Sequence, residues 1–259
     1  MRIKSSEYRF PQNSTLNQRS PQPGEIWEVN RSVYSPLELS WQEQQNLFPD
    51  SARRFLAGNS PPRYVMIVKE PESPVAAEAE WQVVSVMVLS LNTDFLSSVD
   101  LLIPANLSGV GQDLLAQTWH VLPMLTCNLS HPIGKRLSRE VYDLLLDVGD
   151  YYQGLIDQPP SAQAIELGGL KIGKGVTEQQ PKLQAFHQQE EAWSAVLNVP
   201  VAAYNVYLKT MNLTAAIVED AVQLEQELIE SGATLWGKSQ PNSHRKNWRM
   251  SGGDRALKK

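Results

Sequence analysis

Three β-branched runs stand close together in the first half of the chain: 64–68 (Tyr-Val-Met-Ile-Val), 81–91 with Val83, Val84, Val86 and Val88, and 99–103 with Val99 and Ile103. Such side chains lose rotamer freedom in a helix and pack well on a pleated surface, so the runs predict neighbouring strands. Turn chemistry separates them, a Pro/Glu/Ala loop after the first and Asn92-Thr93-Asp94 after the second. Ahead of them, Pro23-Gly24 makes a turn into residues 25–33, where Ile26, Trp27 and Val29 stand beside polar Glu25, Glu28 and Asn30 as in a short half-buried strand. Residues 115–126, with Trp119, Val121 and Leu122, predict a returning strand, followed by a turn at Pro132-Ile133-Gly134-Lys135. A sheet needs cover, and one cover is legible. Ser138 is a good helix N-cap, Val141, Leu144, Leu145 and Val148 share one helical face, and Gly149 and Gly154 are placed to end the helix.

Around this predicted sheet the patterns are looser. Residues 1–20 carry no apolar period and read as a flexible leader; residues 35–59 read as a polar, partly helical insert ended by Gly58-Asn59 and Pro61-Pro62. Asp157-Gln158-Pro159-Pro160-Ser161 reads as a linker, since paired prolines forbid helix continuation. Beyond it Tyr204, Leu208, Met211, Ala215, Val218, Val222 and Ile229 form a nearly heptad stripe, with Pro200 fitting a helix start. The stripe suits an intramolecular packing face, a two-helix hairpin with residues 184–197, or an oligomeric coiled coil. The predicted organisation is a leader (1–20), a mainly β domain (21–157), an α-helical extension (158–234) and a basic flexible tail (235–259).

Composition narrows the function classes. A chain of 259 residues can bury a sizeable core, and its single cysteine, Cys127, excludes an internal disulfide framework and a multi-cysteine zinc site, which fits a reducing compartment. No apolar run approaches the roughly 18 residues of a membrane span and the N-terminus lacks an apolar signal core, so a cytoplasmic protein without a membrane partner is expected. His120, His131, His187 and His244 are scattered with no metal-binding spacing, and neither metal nor cofactor is predicted. The stretch from Gly168 to Lys174 has phosphate-loop spacing, but Gly175 stands where a magnesium-binding Ser or Thr belongs, so it reads as a mobile glycine-rich hairpin. No Gly-x-Ser-x-Gly elbow is present, and Cys127 reads as a packing residue.

Charge is unevenly spread. The whole chain carries −5, yet residues 235–259 hold seven basic side chains against Asp254. Lys238, Arg245, Lys246, Trp248 and Arg249 mark that tail as a candidate RNA-binding element, the cations meeting phosphates and the indole stacking on bases. The same composition also suits a solvated flexible end, a membrane surface or an acidic protein partner.

A series of motifs resembles the PemK/MazF-like toxin family over about residues 21–155. Pro23-Gly24-Glu25-Ile26-Trp27 is similar to the family's opening strand, Pro62-Arg63-Tyr64-Val65-Met66-Ile67-Val68 to its Arg-Pro-apolar strand, and Val86-Met87-Val88-Leu89-Ser90-Leu91-Asn92-Thr93 to the strand ending Pro-Ile-Thr-Ser. Residues 99–104 fit the strand before the family's glycine-containing loop, and 116–126 fit the strand ending Gln-Ile-Arg-Thr. Ile133-Gly134-Lys135-Arg136-Leu137-Ser138 resembles Leu-Gly-Lys-Leu-Ser, and 141–148 the closing helix. The resemblance implies a small SH3-like, partly open β-barrel with a closing helix, here followed by the α-helical C-terminal extension, and a possible homodimer through the barrel. It also implies a metal-independent endoribonuclease, in which a ribose 2′-hydroxyl attacks its own phosphate to leave a 2′,3′-cyclic phosphate. By position Arg63 would steady the phosphate charge, Asn92 and Thr93 would stand at the threonine position, and His120 would serve as a replacement acid or base. Tyr64 replaces the family's proline, and Pro123-Met124-Leu125-Thr126 lacks its second arginine. Two functions follow: a toxin-like endoribonuclease on single-stranded RNA, held in check when the extension fills the groove where an antitoxin peptide lies, or a catalytically inactive barrel that binds RNA or protein.

Overall fold

The computed structural model describes residues 2–3, 20–72, 81–173 and 180–210. Its strands are β1 (Arg2–Ile3), β2 (Ile26–Val29), β3 (Leu37–Glu38), β4 (Tyr64–Glu72), β5 (Val83–Ser90), β6 (Asp100–Ile103), β7 (Leu114–Leu125) and β8 (Leu129–Ile133). Its helices are α1 (Trp41–Leu47), α2 (Asp50–Leu56), α3 (Ala105–Ser108), α4 (Arg139–Tyr152), α5 (Ala162–Leu167), α6 (Pro181–Trp193) and α7 (Ala195–Thr210). Six strands form one antiparallel sheet in the order β6-β7-β5-β4-β2-β8, and β1 pairs with β3 apart from it. The architecture is thus a β-rich first part followed by helices, with β6 and β8 as the sheet's two edges.

The alternation of apolar side chains sends two sets to opposite faces of this sheet. Ile26, Tyr64, Met66, Met87 and Leu89 face α4 and α5, meeting Val141, Leu145, Val148 and Ile165. Trp27, Val29, Val65, Ile67, Val84, Val86 and Val88 face the other way, against Phe55 of α2 and Trp193, Val196, Leu197 and Val199 from α6 and α7. Both faces are dry. This explains why the valine runs read as continuously apolar and not as clean alternation.

Ser138 caps α4 through its side chain, as its position predicts, and accepts from the Val141 N–H. Gly149 does not end the helix; it lies inside it, where a Cβ would come within 2.6 Å of the Thr118 carbonyl oxygen, so its bare backbone lets α4 rest directly on β7. The turn expected at 132–135 begins later, because Leu129–Ile133 is an edge strand paired with β2. Gly134 makes that turn with φ 63°, and a Cβ there would strike the Ser108 carbonyl oxygen.

The second half departs further from expectation. Pro200 sits inside α7 and does not start it. The glycine-rich segment is pinned and not a free hairpin: Lys171 exchanges both backbone hydrogen bonds with Leu102 of edge strand β6, and the Gly173 N–H donates to the Ser97 carbonyl. Tyr204 and Leu208 pack within the chain against Leu125, with Cys127 alongside. The rest of the stripe, Met211 to Ile229, lies outside the described residues, as does the whole basic tail. Residues 157–161 connect α4 to α5, and the helices beyond them pack on the same sheet as α4. No helix among the described residues is long and apolar enough to cross a membrane.

Candidate functional site

The chemistry-bearing side chains gather where β7 is irregular. Met87 pairs with Val121 and Leu89 with Ala116, so residues 117–120 of β7 stand opposite Val88 alone. Such a bulge shifts the side-chain parity of a strand. Before it, Leu115 packs against α6 and Ala116 faces α4; after it, Val121 faces α4 and Leu122 packs with the α6 and α7 side. Trp119 and His120 therefore lie side by side, their rings stacked 4.5 Å apart at an interplanar angle of 4°. An ideal strand would separate them onto opposite faces.

From this bulge a hydrogen-bonded chain runs to Arg63. The His120 Nδ1 donates to Gln117 Oε1 at 3.0 Å, Gln117 Nε2 donates to Glu190 Oε2 at 2.8 Å, and one Arg63 nitrogen donates to both Glu190 oxygens at 2.8 and 2.7 Å. Gln117, His120 and Glu190 are all buried, and the Arg63 guanidinium lies 4.9 Å from the Trp193 ring centre. Burial, reinforced by the proximity of His187 and of the Arg63 guanidinium, holds the His120 imidazole far below its ordinary range, at about 3. The ring is accordingly neutral at physiological pH.

A second, parallel set fixes the same helix. His187 Nε2 lies 2.8 Å from Asp100 Oδ2, which also accepts from Ser97 Oγ at 2.6 Å, while Trp119 Nε1 donates to Asp100 Oδ1 at 2.9 Å. Asp100 is fully buried, and these three donors replace the water it gives up. Trp119 also packs on His187, ring centres 4.4 Å apart. Two carboxylates, one from the sheet and one from α6, thus hold α6 to the sheet through reciprocal partners.

Of the sequence candidates, Arg63 and His120 are brought into one network. Asn92 and Thr93 lie at the same end of the sheet, since Tyr64 pairs with Leu89 and β5 ends at Ser90, but no hydrogen bond among the described residues joins them to it. Asn92 is exposed and its Oδ1 accepts from the Asp94 N–H, capping the short 3-10 turn Thr93–Phe95. Lys238, Arg245, Lys246, Trp248 and Arg249 lie outside the described residues. Asp100, Gln117, His187 and Glu190 were not foreseen, because nothing local marks them; the adjacent Trp119-His120 pair was the one available signal, and it becomes meaningful only through the bulge. Among the described residues no group of three or more His, Cys, Asp or Glu is placed to hold a metal ion.

Away from this network, a surface cleft of about 650 Å³ is lined by Pro23, Glu70, Arg136, Leu137, Arg139 and Tyr142. Arg136 Nε donates to the Pro23 carbonyl at 2.7 Å, and the Tyr142 hydroxyl donates to the Val68 carbonyl. Arg139 pairs with Asp143 one helical turn on. No family model matches this chain, and no curated protein sequence matches it.

Proposed function

We propose that the chain is an RNA-binding module built on a PemK/MazF-like, SH3-type sheet whose endoribonuclease chemistry has lapsed. The observation that carries this reading is the Arg63–Glu190 pair. A phosphate-steadying arginine must offer its charge to a ligand, whereas this one turns a terminal nitrogen to both oxygens of a buried carboxylate that neutralises it and also holds Gln117. His120 is no better placed as an acid or base, being buried and neutral behind Gln117. Retained activity under autoinhibition by the extension is the weaker reading. Lifting α6 and α7 off the sheet to open a groove beneath them would expose Trp193, Val196, Leu197, Val199, Val201, Tyr204 and Leu208, all nearly fully buried. At about 1.5–3 kcal/mol per large apolar side chain, that is on the scale of the whole stability of an ordinary domain, about 5–15 kcal/mol. The helices support a permanent cover and not a removable one.

RNA is favoured over protein as partner by the basic composition of residues 235–259 and by the two arginines of the cleft. The test incubates the full chain, Glu190→Gln and the double variant Glu190→Gln/Arg63→Ala with a long mixed-sequence single-stranded RNA in EDTA. The expected result is salt-sensitive binding with no cleavage by any of the three. Cleavage by Glu190→Gln that disappears in the double variant would replace this reading with an autoinhibited ribonuclease.

A further inference from the structure

We infer that the cleft between the Pro23 turn, β4 and the first turns of α4 is a nucleotide subsite. This extends the RNA-binding reading by naming the place where one nucleotide sits, and it uses no residue of the Arg63 network. Each wall offers a different chemistry. Arg136 is held along one edge by its Nε bond to the Pro23 carbonyl, which leaves its two terminal nitrogens as a pre-oriented pair of donors for phosphate oxygens. Arg139 adds a second cation, tied to Asp143 at the surface, where an incoming phosphate competes for it with little desolvation. The Tyr142 ring cannot swing away, because its hydroxyl is bound to the Val68 carbonyl, so it presents a fixed aromatic surface for a base beside the apolar Leu137.

Glu70 decides between ligand types. A bare inorganic anion meets its carboxylate as repulsion, and no ion pair among the described residues joins Glu70 to either arginine. A ligand that carries hydrogen-bond donors next to its phosphate, as a ribose hydroxyl or an exocyclic amine does, turns that carboxylate into a partner. The cleft's volume of about 650 Å³ falls in the range of small-molecule sites.

The experiment titrates the full chain with uridine monophosphate, a short oligouridylate and inorganic phosphate, following heat of binding at two salt concentrations. Nucleotide binding is expected, with inorganic phosphate weaker. Arg139→Ala is expected to weaken both nucleotide probes about tenfold; its side chain is 88% exposed, so loss of folding does not confuse the result. Arg136→Ala gives a comparable loss, Glu70→Ala narrows the gap between nucleotide and inorganic phosphate, and Arg54→Ala, an exposed charge on α2, leaves all three probes within about twofold. Oligouridylate binding that ignores Arg139→Ala and Arg136→Ala would overturn the subsite while leaving RNA binding to other surfaces. Monophosphate binding lost in the arginine variants, without oligouridylate binding, would keep the subsite and sink the RNA reading.

Discussion

The two faces of the central sheet are covered by different physics. On one side α4 and α5 lay an apolar stripe on apolar strands, with Gly149 letting backbone meet backbone. On the other side α6 and α7 also bury large apolar groups, but α6 is in addition held by two buried carboxylates, Glu190 and Asp100, each satisfied by partners from across the interface. An apolar seam rewards any register that removes the same area from water. A set of directional partners rewards only one, and it turns every vacancy into a penalty. Arg63, which the resemblance would assign to catalysis, is thus one of the groups that fix α6 in place.

The largest expected effect breaks the polar face. Glu190→Ala leaves the partly buried Arg63 guanidinium beside Trp193 without its counter-charge and the buried Gln117 without its acceptor, and is expected to cost about 3 kcal/mol in a urea or guanidinium unfolding series. A loss below about 1 kcal/mol would mean that the network follows the packing and does not hold it.

Acid is a gentler way to test the same face. The folded protein keeps His120 neutral down to about pH 3, whereas the unfolded chain protonates it near 6.5, so between those values the unfolded state binds more protons. The stability contributed by this depressed value is present above pH 6.5 and is lost as pH falls toward 3, by at most about 1.4 kcal/mol per pH unit. Replacing His120 by Gln should flatten that part of the stability profile. An unchanged slope would assign the acid sensitivity to other groups.

The smallest change sharpens the apolar face. Gly149→Ala places a methyl group against the Thr118 carbonyl and is expected to cost about 1–3 kcal/mol through overpacking, without altering the acid profile, because α4 carries none of the buried carboxylate network. Thermal unfolding at two pH values checks both halves of that statement.

Legibility followed the same divide. The strands read at 64–68, 81–91, 99–103 and 115–126 and the α4 stripe with its Ser138 cap match β4, β5, β6, β7 and α4, because they follow from alternation, helical period and capping chemistry within a few residues; only the end of β4, to Glu72, ran on into what read as a loop. Edge strand β8 was hidden because its Ser130 and His131 are exposed and polar and its end, Pro132-Ile133, read as the start of a turn. Pro200 misled because a proline usually opens a helix, yet here it is accommodated within α7, where the packing of Val199 and Val201 outweighs one lost backbone hydrogen bond. Arg63 and His120 were singled out through a resemblance in order and motif, and that order carries no information on what their side chains touch.

Local pattern by itself therefore determined that the valine-rich runs pleat and that α4 coils with one apolar stripe, since these depend on neighbours a few positions apart. The tertiary structure alone decided that Arg63 meets Glu190, 127 positions away, and that a bulge in β7 turns Trp119 and His120 onto one face. Contacts over such separations are set by how whole layers stack, and the energy that selects them belongs to the assembled core rather than to any segment.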